Sequence, residues 1–219
     1  MTEKMIQLLI TGIGETLYMV VISTVVAYVF GIPLGVIMYI TDKNGICRNR
    51  IINLVVGVII NIIRSVPFLI LLVAILPFTR LVVGTTIGPT ATIVPLIVAA
   101  IPFVARMVES SLKEVDGGVI EAAKAMGSSN FQIITKVLLP ETKPSLLVGL
   151  TIAITTILGY SAMAGFTGGG GLGAIATNYG YYRYQTDVML ITVAVLVIIV
   201  QIFQEVGIRI VNKLDKRLK

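Results

Sequence analysis

The feature that limits this chain most is a series of long stretches without charge. Residues 17–40 carry no charged side chain, and residues 51–77 carry one, Arg64. Further apolar runs fill residues 91–108, 145–166 and 188–211. A helix that crosses a bilayer needs about 20 predominantly apolar residues, so each run is of the right order to span one. The composition agrees: 56% of the 219 residues are hydrophobic and 13% are charged, where a soluble domain carries about 25% charged residues. The mean hydropathy is +0.98. The expected fold is therefore all-α, a polytopic membrane helix bundle of five transmembrane helices in one domain covering 1–219, with spans at approximately 17–40, 51–77, 91–108, 145–166 and 188–211. The N-terminal stretch 1–5 is short and carries Glu3 and Lys4, and no small-residue cleavage pattern closely follows the first run. It reads as a retained span rather than a signal peptide.

Absent residue types narrow the chemistry. There is no histidine and no tryptophan, and Cys47 is the single cysteine. That removes the usual general base, histidine-containing metal sites, a Ser-His-Asp arrangement and any intrachain disulfide. Cys47 reads as an inert loop thiol. The net charge of +6 points to membrane orientation rather than to nucleic acid. With five spans, one side holds Lys43, Arg48 and Arg50, then Arg106, Lys113, Lys124, Lys136 and Lys143, then Arg209, Lys213, Lys216, Arg217 and Lys219. The other side holds only Lys4, Arg80 and Arg183. Positive charge is retained in the cytoplasm. The N-terminus is expected outside, the C-terminus inside, and the hydrophilic stretch 106–143 in the cytoplasm, with 109–143 forming its loop.

That loop is the most informative segment. After Gly118 comes Val-Ile-Glu-Ala-Ala-Lys-Ala-Met, closed by Gly127. Alanine favours helix and glycine suits the position just past a helix end, so one short helix is expected there. Ser129 and Gln132 have the spacing of a capping box for a second helix over 130–138. Pro140 and Pro144 bracket the turn into the fourth span. An amphipathic helix lying on the membrane is the plain alternative, but such a helix uses bulky residues on its apolar face. Ala122, Ala123 and Ala125 leave a slim rod suited to a groove on another protein.

At this point the sequence resembles a known family. Glu121-Ala122-Ala123, three residues, Gly127, nine residues, then Val137-Leu138-Leu139-Pro140 is similar to the EAA loop of ATP-binding-cassette (ABC) importer permeases, with Val137 where the pattern has isoleucine. Arg64-Ser65-Val66-Pro67-Phe68, Pro102-Phe103-x-Ala105-Arg106, Gly159-Tyr160-Ser161-Ala162-Met163 and the glycine run 168–173 with Tyr179-Gly180-Tyr181 narrow the resemblance to methionine-import permeases. The resemblance implies the type I ABC importer permease fold in the bacterial cytoplasmic membrane. It also implies a second copy of the chain, two ABC ATPase subunits and an extracytoplasmic methionine-binding lipoprotein as partners, beside membrane lipid. The coupling residues are then Glu121, Ala122, Ala123, Gly127, Leu139 and Pro140. ATP and magnesium would be bound by the partner ATPase, so no cofactor is expected on this chain. A permease for another amino acid, or an ion-coupled carrier or channel, is the alternative. The latter calls for intramembrane carboxylates or broken helices, and the acidic residues between 16 and 204 fall in loops or near span ends.

Other patterns carry less. Residues 168–173 satisfy Gly-x-Gly-x-x-Gly, but a dinucleotide site requires a preceding strand and a following helix. Close backbone packing at the outer mouth is the better account. No Gly-Lys dipeptide occurs, so there is no Walker A loop and energy must come from another protein. Arg64 admits two readings, a structural arginine bonded to carbonyls released by Pro67 and a group lining the translocation path or its gate. Gly149, Ala153, Thr156, Tyr160 and Met163 recur at helical spacing. They form either a tight helix contact or a path-lining face with Met163 as an adaptable plug.

Overall fold

The computed structural model describes residues 3–214, Leu214 by its backbone only. Lys216, Arg217 and Lys219 of the expected basic C-terminus lie outside the described residues. Helix α1 runs Glu3–Thr41. At about 1.5 Å per residue it is roughly twice as long as the ~30 Å hydrocarbon layer. Its first turns, ahead of the expected span, pack through Leu9 into an apolar cluster with Leu172, Ile175 and Val188. Its later turns pack along α5 (Pro89–Leu112). Gly31 and Gly35 make that approach possible. A Cβ on Gly31 would sit 2.6 Å from Val104 Cγ1, and one on Gly35 would sit 2.6 Å from the Ala105 carbonyl. The four-residue glycine spacing in the first apolar run is thus the α1–α5 contact.

The stretch 51–77 is not one straight span. Helix α2 (Arg50–Ser65) and α3 (Phe68–Ala74) are bent by 103°, and α4 (Leu76–Val83) follows. Pro67 is the cause: it has no N–H to donate, and it forces Val66 into extended backbone, φ −85° and ψ 124°. Among the described residues four helices are long and apolar enough to cross a membrane, or five if α2 and α3 form one broken span.

The third run also differs in extent. Helix α5 continues to Leu112, so Arg106 and Glu109 lie within a helix rather than in a loop. Past α5 come α6 (Gly117–Ala125) and a continuous helical segment, 130–141. That segment comprises α7 (Asn130–Gln132), a π-helical turn Ile133–Leu138 and α8 (Leu139–Glu141). The fourth and fifth apolar runs lie mainly in α9 (Lys143–Ala164) and α11 (Thr186–Leu214). Between them, 165–181 is almost wholly helical rather than a loop: a 3₁₀ turn Gly165–Thr167, the short α10 (Gly171–Ile175) and a π segment Ala176–Tyr181. The main core lies between α1, α5 and α9, with Met19, Leu96, Val104, Leu112 and Ile157 almost fully inaccessible. Helix α11 is peripheral and leans on α9, where Gly207 admits the Thr151 side chain.

The two ends of the bundle differ. At one, Gly88 N–H donates to the Gly168 carbonyl (2.9 Å), joining the start of α5 to the glycine hairpin. At the other, Lys113 lies 3.6 Å from Asp42, joining the end of α5 to the α1–α2 elbow. The second is the basic end.

Candidate functional site

Helix α6 projects at the basic end. Asp116 caps its start, its carboxylate accepting from Gly118 N–H at 2.7 Å. Its far end closes in a Schellman arrangement. Gly127 N–H donates to the Lys124 carbonyl (2.9 Å) and Ser128 N–H to the Ala123 carbonyl (3.1 Å). That closure needs a left-handed residue, and Gly127 has φ +78°. The next helical segment is held by the expected capping box. Ser129 N–H donates to Gln132 Oε1 (2.8 Å), and Gln132 N–H to Ser129 Oγ (3.3 Å).

The expected coupling residues divide by environment. Glu121, Ala122, Gly127 and Pro140 are exposed. Leu139 is half-buried, and Ala123 is 3% exposed. Ala123 therefore faces this chain's own core, in the cluster that holds Leu112, Val115, Ile133 and Leu138. It seats α6 and is not a face offered to another protein. Around it the exposed surface of the rod includes Val119, Glu121, Ala122, Lys124, Ala125 and Met126, the last 79% exposed. The π turn explains the seat. Ile133 and Leu138 are five apart, and the wider turn lets both reach the interior. Capping-box spacing made this helix legible, but nothing in the sequence announces its π register.

The loop is tied to the spans by polar contacts as well. Glu109, 5% exposed, accepts from Arg106 Nη1 and from Lys113 Nζ, both at 2.7 Å. Arg106 Nη2 also donates to Asn61 Oδ1 of α2 at 2.8 Å. A ladder thus runs Asn61–Arg106–Glu109–Lys113–Asp42 and links α2, α5 and the α1–α2 elbow. Lys113 is held above the ordinary lysine range, first by its hydrogen bond to Glu109, against partial desolvation, with the charges of Glu109 and Asp42 adding. Ser145 Oγ at the start of α9 lies 2.9 Å from Ser111 Oγ and donates to Glu114 (3.2 Å). Asn130 Nδ2 donates to Cys47 Sγ at 3.1 Å, so the exposed thiol touches the coupling segment. Nothing in the sequence singled out Asn61, an amide on an otherwise apolar helix, as a partner of Arg106.

The expected path residues are dispersed. Tyr160 of α9 is half-buried and stacks on Phe68 of α3, ring centroids 4.5 Å apart and planes 4° from parallel. This contact holds α3, beyond the proline break, against the fourth span. Met163 is 46% exposed. Arg64 is exposed in the last turn of α2 and makes no hydrogen bond or ion pair among the described residues. The carbonyl-bonded reading of Arg64 is not what the structure shows. A cation in that turn still meets the negative end of the helix dipole. Gly149 and Ala153 are buried, and a Cβ on Gly149 would meet Met107 Cε at 2.9 Å. The small-residue face is thus a helix contact at one end and open toward Met163 at the other.

The glycine run forms a tight hairpin against the spans. Gly168, Gly170 and Gly171 have φ of +81°, +80° and +69°. A Cβ on Gly173 would land on the Ala162 carbonyl, and one on Gly165 on the Gly173 backbone. Irregular backbone at membrane depth must find partners within the protein. Here Gly169 N–H donates to the Ala164 carbonyl (2.9 Å) and Thr92 Oγ1 to the Gly169 carbonyl (3.3 Å). Glu15 accepts from Gly171 N–H (2.6 Å), and Thr16 Oγ1 from Leu172 N–H (2.9 Å). Two side chains of α1 therefore cap α10. Neither was legible in the sequence, since 156 residues separate the partners.

Comparison with known proteins follows from this geometry. The family model of binding-protein-dependent transport system inner membrane components matches residues 31–219. The probable D-methionine transport system permease protein MetI of Vibrio cholerae is 52% identical over 96% of this chain and 93% of its own length. The methionine import system permease protein MetP of Bacillus subtilis is 45% identical over 93% of this chain and 91% of its own. A chain of the MetNI methionine ABC transporter in an inward-facing conformation superposes with a TM-score of 0.97 at 48% identity, covering 99% of this chain and 100% of that one. A chain of an amino acid ABC transporter, 21% identical with a TM-score of 0.79, shares the fold.

Proposed function

Because the chain belongs to the family of binding-protein-dependent transport system inner membrane components, among the methionine ABC permeases, we propose that it is the membrane-spanning subunit of an ATP-driven methionine importer. It lies in the cytoplasmic membrane as a five-span domain, α2 and α3 together forming the second span. Its N-terminus is outside and its C-terminus inside. Two copies form the path, two ABC ATPases bind at the basic end, and an extracytoplasmic methionine-binding lipoprotein delivers substrate at the glycine-hairpin end. ATP and magnesium are bound by the ATPase. This chain's part is mechanical.

The observation that carries this reading is α6: a slim capped rod whose exposed side bears Glu121 and Ala122 and whose buried side, through Ala123, rests on the π turn Ile133–Leu138 and joins the apolar cluster of Leu112 and Val115 around the end of α5. A push on the exposed side reaches both spans through Leu112, Val115, Ile133 and Leu138 and through the Ser111–Ser145–Glu114 contacts. Glu121 meets a basic group on the ATPase, and Ala122 keeps the rod thin where it enters the groove. Gly127, Leu139 and Pro140 set the reversal and the return into α9. Arg64, Tyr160 and Met163 line the path or its gate, with the Phe68–Tyr160 stack moving as α3 and α9 separate.

The test uses membrane vesicles holding the assembled transporter. Ala122→Arg should abolish ATP-dependent methionine uptake, with the permease inserted and its thermal stability unchanged. Uptake at the unmodified rate would remove α6 from the coupling path. Competition by other amino acids in the same assay tests the choice of substrate.

A further inference from the structure

The α1–α2 elbow, residues 42–49, holds a cluster that the transport reading does not use. Lys43, Arg48 and Arg50 converge on an open cavity of about 360 Å³ that Asp42, Asn53 and Leu54 also line. The floor is fixed. Asn53 Nδ2 donates to the Met38 carbonyl (2.7 Å) and to Thr41 Oγ1 (3.2 Å), and Asn49 caps α2 by accepting from Ile51 and Ile52 N–H. The single carboxylate in the lining is engaged elsewhere. Asp42 accepts from the Lys43 N–H (2.7 Å) and faces Lys113 at 3.6 Å. Among the described residues no carboxylate lies within 4.0 Å of the Lys43, Arg48 or Arg50 side chains. Three exposed cations therefore share one cavity without a counter-ion.

The surroundings select the kind of anion. From the cavity mouth an apolar strip runs up the outside of α2: Leu54 is 63% exposed, Val58 46% and Ile62 60%. A ligand that fits both parts has a phosphate at one end and a hydrocarbon chain at the other. Basic pockets at the ends of membrane helices provide this recognition. We propose that the elbow binds the headgroup of an anionic phospholipid, its phosphate held by Lys43, Arg48 and Arg50 and an acyl chain lying along α2. The site does not depend on which leaflet the elbow faces. Its place in the fold gives it reach, since the same elbow touches Lys113 at the end of α5 and, through Cys47, Asn130 of the coupling segment. An occupied site steadies the elbow against both.

The absence of native tryptophan allows a direct test. A Leu54→Trp chain is reconstituted into vesicles in which phosphatidylcholine is replaced stepwise by brominated phosphatidylglycerol or, separately, by brominated phosphatidylcholine. Quenching should show a preference of about tenfold for the anionic lipid, from attraction by clustered cations. The preference should fall toward unity in Lys43→Gln/Arg48→Gln/Arg50→Gln and by an intermediate amount in Lys43→Gln alone, while Arg80→Gln leaves it intact. Inorganic phosphate at about 10 mM, well below physiological ionic strength so that screening changes little, should leave the preference unchanged. Equal quenching by the two lipids, or a preference that survives the triple substitution, would overturn the proposal. Loss of the preference on adding phosphate would assign the cavity to a soluble anion instead. Loss of quenching when the co-purified ATPase binds would assign the elbow to that protein. Either result overturns the lipid site.

Discussion

At the scale of single residues, the coupling loop separates two alanines that a motif treats alike. Ala123 is buried and Ala122 is exposed, so a bulky charge should act differently at each. Ala123→Arg buries an unpaired cation and overfills the seat of α6, at a cost of about 3 kcal/mol or more. Thermal unfolding in detergent should show that loss, while Ala122→Arg leaves the transition in place. The glycines divide in the same way. Gly127 has φ +78° with open space where a Cβ would stand, so Gly127→Ala costs only the left-handed backbone, about 1 kcal/mol. Gly173→Ala drives a methyl into the Ala162 carbonyl and should prevent stable insertion, as judged by protease resistance in membranes. The need for a glycine after α6 was legible from its place past an alanine-rich run. The need for one at 173 was not, because the clash is with a turn of α9 that only the tertiary fold brings near.

At the scale of elements, the charged ladder fixes how α5 ends. Glu109 is almost wholly buried between Arg106 and Lys113, and Glu109→Ala removes the carboxylate they share, leaving Arg106 with Asn61 and Lys113 with Asp42. The loss should be about 2–3 kcal/mol, less than for a fully enclosed pair because Lys113 is half-exposed. The pH dependence has a definite sign. Lys113 is raised in the folded state, so its stabilising contribution is complete below the unfolded lysine value of about 10.4 and fades as pH climbs through the raised value. Thermal scans from pH 6 to 9 should show no slope from this group, and an alkaline fall that Lys113→Met removes. The long helices were legible from uncharged runs, and the capping box announced the start of α7, but the short helical turns over 165–181 were not, because their glycines favour no helix on their own. Boundaries were also less legible. The third apolar run was expected to span approximately 91–108, yet opposite charges three and four apart on a helix neutralise one another and let α5 continue to Leu112. Pro67 was visible, but a proline alone does not say whether a membrane helix kinks or breaks. The Phe68–Tyr160 stack beyond it helps to hold the broken geometry.

At the scale of the whole molecule, apolar surface remains over. Helix α11 is largely exposed, as are Val25, Val29 and Phe30 on α1 and Ile51, Leu54 and Ile62 on α2. In the proposed assembly, lipid and a second copy of the chain cover such a surface, and the path lies where the two copies meet. In the proposed dimer Arg64 and Met163, both exposed in the single subunit, face that path. The central claim is that this chain transmits force and does not generate it. The most direct measurement is methionine uptake into proteoliposomes holding the purified chain, with or without its ATPase and ATP, with the binding lipoprotein supplied. The account predicts uptake only when ATPase and ATP are both present. Accumulation by the chain alone, driven by an ion gradient, would contradict it.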